Sequence, residues 1–148
     1  MVVVSEALAS DIPEVKVLYS ECGYGGRIAE SDIVLVARRN SEMVGVVRLA
    51  SEGGVLILRG MQVKSSFQRQ GVGTALLRQC VTYLGARSCY CLPYAHLVGF
   101  YSLANFRNAN EAELPDFLVK RLRAYQVSGK EVLAMARPVK MSNESGHL

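Results

Sequence analysis

The residues with the clearest potential for chemistry lie between Gln62 and Leu77, where a strand-like segment leads through a short loop into a helix-like segment. The loop and the first helical residues read Gln68-Arg69-Gln70-Gly71-Val72-Gly73, so two glycines stand near a basic side chain. The first amides of a helix have no partner within the helix and carry the positive end of its dipole. Glycines let a phosphate approach these amides, and Arg69 adds a positive charge. The pattern predicts an anion site, although the glycines alone would equally suit a tight turn before an ordinary helix.

Two common phosphate-binding motifs do not fit this segment. The dinucleotide-binding pattern Gly-x-Gly-x-x-Gly would need a third glycine at Leu76, and a P-loop would need Gly-Lys-Ser or Gly-Lys-Thr. The sequence therefore argues against both a Rossmann dinucleotide site and a P-loop nucleotide site.

The cysteines and histidines do not form a metal-binding pattern. No two cysteines have the Cys-x-x-Cys spacing, and the closest pair shares one face of a predicted strand without further ligands at suitable spacing. Buried thiols in a reducing compartment are the better interpretation, so we expect no metal. The residues concerned are Cys22, Cys80, Cys89, Cys91, His96 and His147.

Length and composition indicate one globular domain. The chain has 148 residues, of which 50% are hydrophobic and 20% charged, and typical domains contain about 100–150 residues. We assign residues 1–141 to a single domain and residues 142–148 to a frayed tail. No apolar run approaches the ~20 residues of a membrane span, and Met1–Ser5 lacks the features of a secretory signal. We therefore expect a cytoplasmic protein with no membrane partner.

The net charge of +4 is a modest excess that suits a small anionic ligand as well as nucleic acid. The one basic helix face, at Lys120, Arg121 and Arg123, is typical of a solvated surface, and no nucleic-acid-binding signature accompanies it. We expect no nucleic-acid partner, and a homodimer stays open beside a monomer.

The hydrophobic periodicity predicts an α/β domain with a mixed sheet. Val2–Val4 has the pattern of a short strand, and Asp11 that of a helix cap whose capping box Glu14 would close. The helix after Asp11 has one apolar face, made of Ile12, Val15, Leu18, Tyr19 and Cys22. A glycine-rich loop follows at Gly23–Ser31. The other predicted elements are strands at Ile33–Ala37, Met43–Leu49, Val55–Val63, Cys89–Leu92 and Val132–Ala136, and helices at about Gly71–Gly85, Leu97–Ala104 and Asp116–Tyr125.

Strand Val55–Val63 should be the centre of this sheet. The spacing of strand, helix and strand makes it a parallel neighbour of Cys89–Leu92. Gly60 interrupts it, and a glycine inside a strand indicates a bulge or the close approach of another group.

The phosphate-site segment resembles the signature of the GNAT family of acyl-CoA-dependent N-acetyltransferases. Gln68, Gly71 and Gly73 match the family's Gln/Arg-x-x-Gly-x-Gly/Ala pattern. Further along, Gly99–Phe106 looks like the family's Phe-Tyr-x-x-x-Gly-Phe, with Asn105 where glycine is usual.

The resemblance extends along most of residues 1–137 in the order of elements. It implies a GNAT-like mixed, mostly antiparallel sheet with a splayed parallel strand pair at its centre and flanking helices. It also implies acetyl transfer from acetyl-CoA to a primary amine by direct attack on the thioester.

Specific residue roles follow from the resemblance. The pyrophosphate would sit on the amides of Arg69–Thr74, the pantetheine arm would pair with the strand edge at Met61–Val63, and an amide near Val63 would donate to the oxyanion. Tyr101 matches the family's general acid, which protonates the departing thiolate; a core tyrosine is the alternative. The implied cofactor-binding residues are Met61, Gln62, Val63, Gln68, Arg69, Gln70, Gly71, Val72, Gly73 and Thr74.

Two positions depart from the family pattern. Many relatives carry a glutamate base on the strand before Met61, where this chain has Leu56-Ile57-Leu58-Arg59, and many carry an asparagine where this chain has Tyr94. A base must come from elsewhere, or water must relay the proton. Three glutamates are candidates by chemistry, but each is more readily a surface charge: Glu52, Glu111 and Glu113.

The missing acid keeps a second function open, a non-catalytic acyl-CoA-binding regulatory domain. For an enzyme, we expect the acceptor walls at Tyr19–Ile28 and Asn105–Leu114, where Arg27 could hold a carboxylate. A small-molecule amine such as an amino acid is preferred over a protein N-terminus or a lysine.

Overall fold

The structure, a computed structural model, describes residues 1–138, which form seven strands and four α-helices. The strands join one sheet in the order β1-β2-β3-β4-β5-β7-β6, with β4 and β5 as its parallel pair, so the predicted mixed α/β fold is confirmed. The strands are β1 (Val2–Glu6), β2 (Ile33–Arg39), β3 (Glu42–Glu52), β4 (Val55–Val63), β5 (Cys89–Cys91), β6 (Arg107–Asn108) and β7 (Met135–Arg137), and the helices are α1 (Ile12–Glu21), α2 (Val72–Leu84), α3 (Val98–Ser102) and α4 (Asp116–Val127).

The chain groups into two compact units. The first contains Met1–Glu52 and Ile57–Tyr83, and the second contains Gly53–Leu56 and the described residues from Leu84 onward. A single domain over residues 1–141 stays a prediction, and the predicted tail at 142–148 lies outside the described residues.

The first unit is built on an antiparallel meander. β1 pairs with β2 and β2 with β3, as in the register Val36↔Val46. The β2–β3 turn uses Asn40 and Ser41 with φ of 52° and 72°, the left-handed pair that a two-residue hairpin needs. Helix α1 covers this meander with an apolar face that the sequence predicted. The buried cluster is Val15, Leu18, Tyr19, Val34, Val36, Met43 and Val46, and Ile12 and Cys22 pack against it.

The start of α1 differs from the prediction. Asp11 precedes the helix, but its side chain does not cap it. One carboxylate oxygen accepts a bond from the Leu8 amide at 2.8 Å, and Arg38 binds the other at 3.1 Å. Arg38 also binds Glu14 at 3.0 Å. The predicted Asp11–Glu14 capping box is therefore wrong, because a distant arginine and the preceding 3₁₀ turn engage both carboxylates.

The second unit holds the short strands. Strand β7 pairs with β5 and with β6, a two-residue strand that periodicity did not predict because it is too short to show any. The predicted closing strand began too early, since Val132 forms only an isolated bridge with Tyr94. Helix α3 is also shorter than predicted, because Ala95–Leu97 is a 3₁₀ turn.

Helix α4 buries Leu118 and Leu122. None of the helices in the described part of the chain combines the length and hydrophobicity needed to cross a bilayer.

Candidate active site

A tight loop joins β4 to α2 in the first unit. After Val63, the Lys64 amide donates to the Val44 carbonyl at 2.9 Å, and a 3₁₀ turn occupies Ser65–Phe67. Arg69 and Gly71 then have φ of 64° and 83°. Left-handed backbone is ordinary for glycine but uncommon for an arginine. The loop thus reverses the chain sharply just before the helix begins.

The first turn of α2 offers amides to an anion. The first intrahelical bond runs from the Ala75 amide to the Gly71 carbonyl at 3.0 Å, so the amides of Val72, Gly73 and Thr74 precede the helical bonding ladder. A Cβ on Gly71 would meet no heavy atom within 4 Å. Space is therefore open at this position, and the exposed Arg69 adds a positive charge. The arrangement is chemically suited to a phosphate.

The two glutamines of the signature turn their side chains back onto the loop. The Gln68 side-chain amide donates to the Val63 carbonyl at 3.2 Å, and that of Gln70 donates to the Ser66 carbonyl at 3.2 Å. The Gln70 oxygen accepts a bond from Arg39 at the end of β2. These side chains stabilise the conformation of the loop. Gln68 and Gln70 would therefore act on a ligand indirectly, by fixing the loop that binds it.

The start of α2 packs closely against a glycine of β3. A Cβ on Gly45 would lie 2.8 Å from Val72 Cγ1, 3.0 Å from Leu76 Cδ1 and 3.4 Å from the Gln62 carbonyl oxygen. Only glycine lets the helix start come this close to the strand. Sequence reasoning missed this position, although a glycine inside an apolar strand is itself the signal of a close approach.

The predicted strand edge at Met61, Gln62 and Val63 is partly buried and follows Gly60 directly. Gly60 has φ of 68°, so β4 departs from regular strand geometry where the sequence predicted an irregularity. The Tyr19 hydroxyl donates to the Gly60 carbonyl at 2.8 Å. A Cβ at this position would lie 2.5 Å from that hydroxyl, which requires glycine.

A buried arginine, which sequence reasoning missed, lies at the centre of the first unit. The Arg48 side chain is 1% exposed and pairs with Asp32, 3% exposed, at 2.7 Å. It also donates to the Tyr19 hydroxyl at 3.2 Å and the Tyr24 hydroxyl at 2.9 Å. An arginine within the otherwise apolar run Met43–Ala50 was the available signal, since a charge is rarely buried unless paired.

Burial and charge act together on the ionisation of this cluster. Burial raises the pKa of Tyr19 to about 12, although the Arg48 charge and hydrogen bond act to lower it. Burial also acts to lower the pKa of Arg48, but the phenol of Tyr19, the hydrogen bond with Asp32 and the phenol of Tyr24 raise it overall. Tyr19 is therefore a neutral phenol and Arg48 a cation at neutral pH.

Arg59 lies on β4, at the end of the stretch Leu56–Arg59 that carries no acid. It is half-buried and binds Glu52 at 3.0 Å. Burial acts to lower the pKa of Arg59, while a hydrogen bond with Tyr24 and the bond with Glu52 raise it. Glu52, a candidate base by chemistry, is thus an ion-pair partner.

The other two glutamates serve the surface of the second unit. Glu111 pairs with Arg123, whose hydrogen bond lowers the pKa of the carboxyl. Glu113 accepts a bond from the Asn110 amide at 2.9 Å and closes a capping box of a 3₁₀ turn. Neither arrangement resembles that of a catalytic base.

Tyr101 lies on the short helix α3 of the second unit and is 5% exposed. Its ring meets the rings of Phe100 and Phe106 edge-on, at centroid distances of 5.0 and 6.1 Å. The residue is held in an aromatic cluster, so its packing and its proposed chemistry must be tested separately. His96 stacks on Tyr94 at 6.0 Å, which agrees with a packing role.

The described residues contain no group of three or more His, Cys, Asp or Glu side chains arranged to hold a metal. The four cysteines are thiols, not disulfides. Burial raises the pKa of Cys22, and burial raises that of Cys91 well above its usual range. The thiols of Cys22 and Cys91 are therefore protonated at neutral pH.

Solved structures with the same fold act on different acceptors. The ribosomal-protein-S18-alanine N-acetyltransferase from Escherichia coli superposes with a TM-score of 0.72 at 19% identity, covering 100% of each chain. N-acetylglutamate synthase from Neisseria gonorrhoeae, complexed with coenzyme A and N-acetyl-glutamate, gives 0.69 at 18% identity over 95% of this chain and 36% of its own. An aminoglycoside 6'-N-acetyltransferase complexed with coenzyme A gives 0.69 at 15% identity, over 94% of this chain and 98% of its own.

A comparison with curated protein sequences found no significant match. The family model described as an acetyltransferase (GNAT) domain matches residues 30–112, which is more than half of the chain. This range contains the loop between β4 and α2 as well as Tyr101. The predicted acetyl donor, acetyl-CoA, is the cosubstrate of this family. The chain belongs to the GNAT family of acetyltransferases.

Proposed function

We propose that this protein is an N-acetyltransferase that transfers an acetyl group from acetyl-CoA to a small primary amine. One observation carries the proposal: the start of α2 combines amides that precede the helical ladder with open space at Gly71. In this proposal the pyrophosphate binds the backbone of Arg69–Thr74, and the pantetheine arm pairs with β4 at Met61–Val63. The oxyanion of the reacting thioester accepts a bond from an amide near Val63.

The proposed reaction is one direct displacement. The amine nitrogen attacks the acetyl carbon, the carbon–sulfur bond breaks, and Tyr101 gives its phenolic proton to the departing thiolate. Free phenols have a pKa of ~10, so a phenol can give a proton at neutral pH. Water takes the proton from the attacking amine, since Arg59 and Arg123 engage Glu52 and Glu111 and the Asn110 amide engages Glu113.

The acceptor is proposed to be a small primary amine that also carries a carboxylate, such as an amino acid. Arg59 supports this choice, because it is half-buried and its hydrogen bond with Tyr24 places a positive charge beside the loop that follows α1. Arg27 on the same loop is exposed and could contribute a further positive charge. A cytoplasmic location is proposed as well, supported by four cysteines that are all thiols.

A non-catalytic acyl-CoA-binding domain is the second candidate, favoured by the arginine that replaces an acid on β4. The two candidates share one expectation and differ in another. Both predict that CoA raises the melting temperature, since a ligand at ~100 times its dissociation constant adds ~2.7 kcal/mol of stability. Only the enzyme acetylates an acceptor from a panel of amino acids, polyamines, aminoglycosides and peptides, with the product followed by mass spectrometry. Absence of any thermal shift would contradict both candidates.

A further inference from the structure

The segment between α1 and β2, residues 22–32, has little regular structure of its own. Its backbone hydrogen bonds lie near the two ends: the amides of Cys22, Gly23 and Tyr24 donate to carbonyls of α1, and the Asp32 amide donates to the Ala29 carbonyl at 3.0 Å. Glycines are frequent in it. Something other than backbone pairing must therefore fix its middle.

That anchor is the guanidinium of Arg48. It donates to the Arg27 carbonyl at 2.6 Å, to the Asp32 carboxylate at 2.7 Å and to the Tyr24 hydroxyl at 2.9 Å. A planar group with five donors can hold three points of one segment at once. The middle and both ends of residues 22–32 are thus held from inside the unit.

The same guanidinium is connected to the strand edge of β4. Its Nε donates to the Tyr19 hydroxyl, which in turn donates to the Gly60 carbonyl. Gly60 immediately precedes Met61–Val63. A continuous series of hydrogen bonds therefore runs from the backbone of β4 to residues 22–32.

We propose that Arg48 and Tyr19 are positioning residues that couple the cofactor edge of β4 to the acceptor-side segment 22–32. This inference rests on the proposed function, because it assigns the pantetheine arm to Met61–Val63 and an acceptor wall to the segment. A ligand paired with β4 restrains the Gly60 peptide, and the Tyr19 hydroxyl and Arg48 transmit this restraint to the segment. The bond from Arg48 to Tyr19 is buried and the others are part-buried, so water cannot readily replace them.

Hydrogen exchange of the full chain, with and without CoA as the probe, tests the coupling without a known acceptor. In the parent protein we expect CoA to slow amide exchange in residues 61–74 and also in residues 22–32. Each effect should be about fivefold or more, the factor that corresponds to one ordinary hydrogen bond. Tyr19→Phe removes only the connecting hydroxyl. It should keep the slowing in 61–74 and lose the CoA-dependent slowing in 22–32.

Tyr90→Phe is the matched control. It also removes a phenolic hydroxyl that donates to a backbone carbonyl, that of Glu113 at 3.5 Å. This hydroxyl lies outside the network of Arg48 and Tyr19. This variant should behave like the parent in both segments. A merely structural role for Tyr19 would speed exchange in 22–32 with and without CoA and leave the CoA-dependent difference unchanged.

Each outcome of the exchange experiment either supports or overturns the proposed coupling. Slowing in 61–74 without slowing in 22–32 of the parent protein overturns the coupling and leaves the proposed cofactor site intact. A Tyr19→Phe protein in which CoA still slows 22–32 also overturns it. No slowing in 61–74 overturns the proposed cofactor site and the coupling with it.

Discussion

Adding one methyl group at Gly45 should disturb both the stability of the protein and its affinity for CoA. The Gly45→Ala methyl would lie 2.8 Å from Val72 Cγ1 and 3.0 Å from Leu76 Cδ1, well inside ordinary van der Waals contact. Overpacking of this kind typically costs ~1–3 kcal/mol, because the helix or the strand must move. A free energy of that size corresponds to a fall in melting temperature of roughly 2–12 °C for a chain of this length. The start of α2 would move with Val72, so the dissociation constant for CoA should rise about tenfold, or ~1.4 kcal/mol.

Val72→Ala supplies the matched compensation for this clash. It removes the Cγ1 atom that the new methyl would meet first, and by itself it loses buried apolar area. The double variant should bind CoA more tightly than Gly45→Ala alone. In a double-mutant cycle, the coupling energy between positions 45 and 72 should be ~1 kcal/mol in the free energy of CoA binding. Denaturant unfolding and calorimetric CoA titration of the four proteins give the cycle. A Gly45→Ala protein with parental stability and affinity, or a strictly additive cycle, would refute the packing argument.

Three further predictions concern a hydroxyl, a titration and a buried ion pair. Tyr101→Phe should lower kcat by ~10²–10⁴-fold on a genuine acceptor and leave the KM for acetyl-CoA nearly unchanged, whereas a core role predicts near-parental turnover and a small loss of stability. Because the pKa of Tyr19 is raised to about 12 in the folded state, its contribution to stability is full below pH 10 and falls above it. Unfolding measurements between pH 10 and pH 12 should therefore show a loss of roughly 2 kcal/mol in the parent that Tyr19→Phe lacks. Asp32→Asn leaves Arg48 buried without its counter-charge and should cost up to ~3–5 kcal/mol in denaturant unfolding, whereas Glu42→Gln, which removes a partner of the partly exposed Lys64, should cost less than ~1 kcal/mol.

Local pattern was enough to predict the meander and the main helices. Apolar, β-branched segments placed β2 and β3, and the helical spacing of apolar residues placed α1 and α2 within one or two residues. These signals are local, since they depend on neighbours along the chain and on the period of each element. The irregularity at Gly60 was predicted for the same reason, because a glycine inside a strand is informative without any partner.

Long-range side-chain pairing could not be predicted in this way. Arg48 is stabilised by groups on α1, on the following loop and on Asp32, and nothing in its local sequence specifies these partners. The failed capping box has the same origin, since Arg38 on β2 engages Asp11 and Glu14 across more than twenty residues. Within the loop before α2, the sequence signature predicted the role of the glycines. It could not predict that the glutamine side chains turn back onto the loop, because they bind carbonyls that only the folded loop presents.

The most direct test of the account is calorimetric titration of CoA into Gly71→Asp, with Gly85→Asp as the control. Both glycines border α2, both have positive φ (83° and 59°), and a Cβ at either would meet nothing within 4 Å. Aspartate tolerates this backbone region better than most residues, so the two variants carry similar strain. A carboxylate ~6 Å from a phosphate at an effective dielectric of ~20 costs about 3 kcal/mol, or ~100-fold in affinity. We predict that loss for Gly71→Asp, a smaller one for Gly71→Asn and none for Gly85→Asp; parental CoA affinity in Gly71→Asp would contradict a pyrophosphate site at the start of α2.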